Sequence, residues 1–209
     1  MIESLFFYTR SDFHIINNLL YGNMEGVIEG IKKARIDVKA SMQNALEDGF
    51  AKWQVSHSEG MRIYGLLQKR LDANIEKNIQ QAKEDIKNIL KLMQPSTKKI
   101  TLYRNIRPNN ILEQYSIGQI LEFKSFVSTS INPSGTSYSK DKTFARYEIT
   151  VPKGTPIIIA SNYPEEMNEK DEIILHPIKC KITNVKKSNI ENCPIIVELE
   201  FVNLIEVGF

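Results

Sequence analysis

Three groups of side chains in this sequence have the types and spacing to handle a positively charged sugar. Phe126-Val127-Ser128-Thr129-Ser130 reads as a strand ending in a hydroxyl triplet, and Glu172-Ile173-Ile174-Leu175 as a strand opened by a carboxylate. Upstream, Leu102-Tyr103-Arg104 puts a guanidinium at the end of another apolar run. Splitting a glycosidic bond develops positive charge on the sugar ring, and a fixed carboxylate beside that charge lowers the barrier. A strand gives such a carboxylate a set direction, and a serine hydroxyl on a neighbouring strand can hold its rotamer. Glu172 is the candidate carboxylate and Ser128 its hydroxyl partner. Arg104 offers a planar fork of donors of the kind that grips phosphate oxygens.

The elements that must position these groups belong to a chain of 209 residues with 42% hydrophobic content, enough for one globular domain with a proper core. The formal charge is +2, with acidic and basic residues interspersed, so nothing argues for nucleic acid or an anionic membrane as partner. Residues 1–13 lack the pattern of a Sec-type signal, and nowhere do eighteen apolar residues run together, so the sequence reads as soluble. Cys180 and Cys193 fall in strand-like segments and are expected as reduced, buried thiols.

Familiar signatures of other chemistries are missing. The sequence has no G-x-G-x-x-G, no G-x-x-x-x-G-K and no C-x-x-C, and His14, His57 and His176 show no i,i+4 pairing. No metal is therefore expected. Ser56-His57-Ser58-Glu59 is polar enough for a nucleophilic site but lacks a nucleophile elbow, and it reads as a helix break.

The first ninety-odd residues carry helical periodicity. Ser11-Asp12 is a plausible cap before Phe13, Ile16 and Leu20, and Gly22 stands where a left-handed residue would end a helix of about 12–21. A second apolar stripe runs from Val27 through Ile31, Val38, Met42 and Leu46 to Trp53, as one long helix or two broken ones, with Gly49 a weak point. Ile75, Ile79, Ala82, Ile86, Ile89 and Met93 then step by four and three until Pro95. That seam reads as a helix laid on its own core rather than a coiled coil.

After Pro95 the period changes to that of strands: 100–104, 120–123, 126–130, 147–151, 156–160, 172–175, 179–185 and 195–202. In the last of these, Val197, Leu199 and Phe201 point inward and Glu198 and Glu200 outward. The expectation is an α+β fold in a single domain, 1–209, mainly helical over 1–95 and mainly β over 96–209.

Order, spacing and flanking residues together resemble the bacterial mono-ADP-ribosyltransferase exoenzymes, a toxin family with an Arg, Ser-Thr-Ser, Glu signature. Tyr8-Thr9, Phe13, Ile16-Asn17-Asn18 and Leu20-Tyr21-Gly22 look like its opening helix. Thr101 to Arg104 is similar to its arginine strand, and Phe126 to Ser130 to its hydroxyl strand. Phe144-Ala145 followed by Ile149 to Thr155 is similar to its next helix and strand, and Tyr163-Pro164-Glu165-Glu166 through Leu175 to its target loop and glutamate strand.

The resemblance implies N-terminal helices packed on two roughly perpendicular, mainly antiparallel sheets, with NAD as substrate in the cleft between them. Nicotinamide would leave and ADP-ribose pass to a macromolecular acceptor, expected from the resemblance to be protein. Glu172 would hold the nicotinamide-ribose 2′-hydroxyl, while Arg104 would serve the diphosphate. Ser128, Thr129, Ser130, Tyr8 and Asn17 are the further NAD-binding candidates, with Phe144 against the nicotinamide and Arg146 adding charge. The loop 131–143 would cover the diphosphate.

The sequence departs from the family at Asn105, where Gly is common, and at Tyr21, where Arg is common. Two residues before the catalytic carboxylate the family has Glu or Gln, and here stands Lys170. A lysine cannot deprotonate a guanidinium unless its pKa falls steeply, which argues against arginine as acceptor. Counting six residues from Tyr163 picks Glu169 as an upstream carboxylate in an altered register. Tyr163, Lys170 and Glu169 are the target-recognition candidates. The alternatives are an NAD glycohydrolase with water as acceptor, or an inactive scaffold binding a partner through 71–93. The family implies a secreted or injected toxin or effector acting in a target-cell cytoplasm, brought there by a separate delivery or secretion partner.

Overall fold

A computed structural model describes residues 13–51, 56–106, 115–134, 145–163 and 171–208. The described residues fall into two compact units, one helical up to Leu92 and one built of strands from Met93 to Gly208.

The helical unit contains α1 (Phe13–Leu20), α2 (Met24–Glu47), α3 (His57–Asp72) and α4 (Ile75–Leu92). Gly22 and Gly49 follow the first two helices with φ of +72° and +62°, the left-handed conformation that glycine takes without steric cost. Asn23 caps α2 by accepting from the Gly26 amide at 3.0 Å. The polar Ser56–Glu59 segment is indeed a break: Ser56 Oγ accepts from the Glu59 amide at 3.3 Å and starts α3. The α4 stripe buries Ala82, Ile86 and Ile89 within its own unit, packing on α1 and α2. Asp85 shares that buried face and meets Arg70 at 2.7 Å, with Gln81 Nε2 on its other oxygen at 3.1 Å. No described helix is long and apolar enough to cross a membrane.

The sheet unit contains β1 (Gln94–Pro95), β2 (Ile100–Ile106), β3 (Ile120–Phe123), β4 (Val127–Ser130), β5 (Ala145–Val151), β6 (Pro156–Ile159), β7 (Glu172–Leu175), β8 (Ile178–Ile190) and β9 (Cys193–Leu204). Hydrogen bonds join them in the order β1-β6-β7-β4-β2-β5-β9-β8-β3. All described pairings are antiparallel except β5 with β9. The α+β class stands, and hydrogen bonds join the described strands into one mixed ladder. That ladder narrows to a single pair, Tyr103 with Ser130, between β4 and β2. Four strands lie on one side of this seam and five on the other.

Strand alternation sorts the side chains. Leu102, Val127, Ile149, Ile173, Leu175 and Val197 are buried in one continuous apolar cluster, each such side chain contributing about 1.5–3 kcal/mol. Cys180 lies in the same cluster, and burial pushes its thiol up to about 12, so it stays protonated. Cys193 is also buried, and both cysteines are free thiols, as expected.

Among the described glycines Gly60 is the most closely packed. A Cβ there would stand 2.3 Å from the ring of Phe50, which is itself 1% exposed and has no room to withdraw. Gly60→Ala is expected to cost about 1–3 kcal/mol through overpacking, measured as a lowered urea midpoint with an unchanged m-value.

Candidate active site

The site is built at the narrow seam of the ladder. β4 and β7 pair in register, Ser128 opposite Ile174 and Ser130 opposite Glu172, which places Ser128, Ser130 and Glu172 on one face. Ser128 is the diagonal neighbour of Glu172, and its Oγ donates to Glu172 Oε1 at 2.5 Å. Glu172 is 9% exposed, so this carboxylate is held inside the protein and not at a solvated strand end. A short, charge-assisted bond from a hydroxyl fixes its rotamer, as a carboxylate aimed at one point in a cleft requires.

Arg104 enters from β2. The backbone ladder between β2 and β4 stops after its one pair, and Arg104 Nη1 donates to the Ser128 carbonyl at 2.8 Å. The guanidinium thus continues the seam with a side chain where main-chain pairing ends. Backbone register brings Ser128, Ser130 and Glu172 together, and Arg104 is joined to them through its bond to the Ser128 carbonyl.

Other candidates are placed differently. Thr129 alternates to the core face with Val127 and Ile173, is 4% exposed, and donates its Oγ1 to the Ile173 carbonyl at 2.6 Å. Expected as a cofactor-binding residue, it ties β4 to β7 from behind, because a strand period of two cannot present three consecutive side chains on one face. Arg146 lies opposite Asn105, whose Oδ1 accepts from its Nε at 3.1 Å, while Arg104 lies opposite Tyr147. The two arginines therefore leave the β2–β5 ladder on opposite faces, and the structure does not join them as one diphosphate clamp. Ser130 shares the Glu172 face but is 5% exposed, and its hydroxyl bonds the carbonyl and amide of Asn132 at 2.8 and 3.0 Å.

Asn17 is part of α1 in the helical unit, and among the described residues its buried Oδ1 has no hydrogen-bond partner. Tyr163 is half-buried just after a short 3-10 turn, Ala160–Asn162, that follows β6. Tyr8, Phe144, Glu169 and Lys170 lie outside the described residues, as does most of the 131–143 loop. Among the described residues no group of three His, Cys, Asp or Glu is placed to hold a metal.

The sequence reading passed over Asn132 and Asp171. Asn132 Nδ2 donates to Asp171 Oδ2 at 3.3 Å, and the Ile131 amide to the Asp171 carbonyl at 3.0 Å. The available signal was positional: each residue lies just outside a candidate strand, next to the chemistry-bearing end.

A buried carboxylate held by a serine hydroxyl at the split of a mixed sheet is an arrangement suited to stabilising a sugar cation. The family model described as ADP-ribosyltransferase exoenzyme matches residues 2–202, and the chain belongs to that family. It is an NAD-dependent ADP-ribosyltransferase of the toxin type, with NAD as substrate.

Solved structures support the fold. The enzymatic component C2-I of the Clostridium botulinum C2-toxin is 16% identical with a TM-score of 0.56, over 99% of this chain and 43% of that one. The catalytic domain of VahC from Aeromonas hydrophila is 14% identical with a TM-score of 0.54, over 96% of both chains. The Clostridium limosum C3 exoenzyme is 14% identical with a TM-score of 0.52, over 96% of this chain and 84% of that one. The chain thus spans less than half the length of C2-I. No curated protein matches it in sequence.

The core-facing placement of Thr129 has a measurable consequence. Thr129→Val is expected to lower stability by about 1 kcal/mol, the usual net worth of one hydrogen bond, in chemical denaturation. NAD affinity by calorimetry should stay within about twofold, because the lost hydroxyl faces away from the carboxylate.

Proposed function

We propose that this chain acts as one catalytic domain over 1–209 and transfers ADP-ribose from NAD to a protein side chain, with Glu172 as the catalytic carboxylate. The carrying observation is the 2.5 Å bond from Ser128 to the buried Glu172. The span of the family match, which takes in both units, supports treating them as one functional domain.

When the bond between ribose C1′ and the nicotinamide nitrogen breaks, its electron pair leaves with the nicotinamide, which departs neutral. Positive charge then spreads over C1′ and the ring oxygen. Glu172 stabilises that cation and accepts a hydrogen bond from the 2′-hydroxyl, both of which strengthen as charge develops. Ser128 holds the carboxylate in place, and Arg104 braces the Ser128 backbone and supplies positive charge for the diphosphate. An acceptor lone pair then bonds to C1′ and the acceptor gives up its proton. Asn17 is assigned to NAD binding by its place in the segment that resembles the family's opening helix. Tyr163, Glu169 and Lys170 are assigned to target recognition by their order before Glu172, and the family's toxins support a secreted or injected effector role.

Glu172→Gln keeps the size and the contact with Ser128 but removes the charge. Nicotinamide release should fall by two to three powers of ten, the scale for one preorganised electrostatic group, while NAD affinity and thermal midpoint hold. Turnover near the parent rate would exclude Glu172. Radiolabelled NAD added to cell lysate should mark a protein band, with the modified side chain identified by mass spectrometry; free ADP-ribose alone would favour water as acceptor.

A further inference from the structure

One structural device touches the start of β7 without belonging to the Arg104, Ser128, Glu172 set. The chain leaves β4 at Ser130 and turns at once. The Ser130 hydroxyl closes that turn on the Asn132 backbone, at 2.8 Å to its carbonyl and 3.0 Å from its amide. Both ends of the Asn132 carboxamide are used: Oδ1 accepts from the Ser134 amide at 2.9 Å, and Nδ2 donates to Asp171 Oδ2 at 3.3 Å. The main chain runs alongside, with the Ile131 amide on the Asp171 carbonyl at 3.0 Å. Asp171 is the residue immediately before Glu172, at the point where β7 begins.

The start of a strand is where pairing is weakest, and Glu172 is the first residue of a strand only four residues long. Its own backbone pairs with Ser130 of β4, and on the far side it is followed by Ile173 and Ile174, which pair with β4 and β6. On the near side it is held by whatever fixes Asp171. A carboxylate that must meet a developing cation needs its position fixed within about half an ångström, and small displacements far from the bond being broken cost large factors in rate.

We infer that Asn132 is a positioning residue for NAD cleavage, acting through its contact with the Asp171 carboxylate to fix the backbone from which Glu172 projects. The inference rests on the proposed role of Glu172. Its signature is a loss in kcat with KM for NAD nearly unchanged, since the clamp orients the reacting carboxylate and holds no part of the ligand.

The test uses the contact's chemistry. Asn132→Asp sets two carboxylates against each other while retaining an acceptor for the Ser134 amide. It should lower kcat for nicotinamide release about tenfold or more, with KM within about twofold. Asp171→Asn added to it recreates an amide facing a carboxylate with the two exchanged, and should restore kcat to within about threefold of the parent. Thermal unfolding of each variant checks that the losses do not follow global stability. No loss in Asn132→Asp, or no recovery in the exchanged pair, overturns the clamp. If Glu172→Gln is inactive while Asn132→Asp keeps full kcat, the clamp fails and the catalytic reading survives. If Glu172→Gln keeps full turnover, both fail.

Discussion

The structure turns on a seam one residue pair wide. Among the described residues, Tyr103 and Ser130 are the one ladder pair between the four strands on one side and the five on the other. A splayed ladder exposes carbonyls and amides that must find other partners, and here the Ser128 carbonyl takes Arg104. The same residue's hydroxyl takes Glu172. Ser128 therefore couples guanidinium to carboxylate through its two oxygens, one on the backbone and one on the side chain. The apolar cluster behind the seam is continuous across Leu102, Val127 and Ile173.

Burying a carboxylate disfavours its charged form unless hydrogen bonds or cations compensate. Glu172 has a hydroxyl at short range, and Arg104 stands on the same serine's carbonyl. The arrangement costs stability in isolation, since an apolar pair at these positions would be easier to bury. Under the role proposed for Glu172, its benefit lies in a dipole and a charge oriented before any sugar cation forms.

Much of this was legible in the sequence because strand and helix periods differ. The strands carrying Ser128 and Glu172 lie within a residue of their expected bounds, and of the stripe on α4 the period correctly selects Ala82, Ile86 and Ile89 as buried. What the sequence concealed follows from specific residues. Helix α3 was hidden because its buried stripe, Gly60, Ile63 and Leu67, has a glycine where a larger apolar residue would signal a helix, and only the ring of Phe50 explains it. β1 was read as punctuation because it contains Pro95, which an edge strand tolerates and a central one does not. The continuity of the sheet could not be read at all, since a single bridging pair leaves no periodic trace.

The hydroxyl triplet shows most clearly where pattern and geometry part. Ser-Thr-Ser invites a reading in which three hydroxyls line a site, yet alternation gives the two serines to the carboxylate face and the threonine to the core. The middle position must be compatible with burial between Val127 and the next strand, and its hydroxyl must still find an acceptor there. Threonine meets both demands, with a methyl group for the apolar side and a donor for the Ile173 carbonyl. Serine, lacking the methyl, would leave a gap, and valine would leave the carbonyl without this side-chain donor. The central residue of the signature is thus explained by sheet packing and the outer two by the site. Ser130 adds a further division of labour, spending its hydroxyl on the turn that delivers Asn132 to Asp171. One strand of four residues in this way braces the carboxylate, locks the sheet and directs the chain that follows.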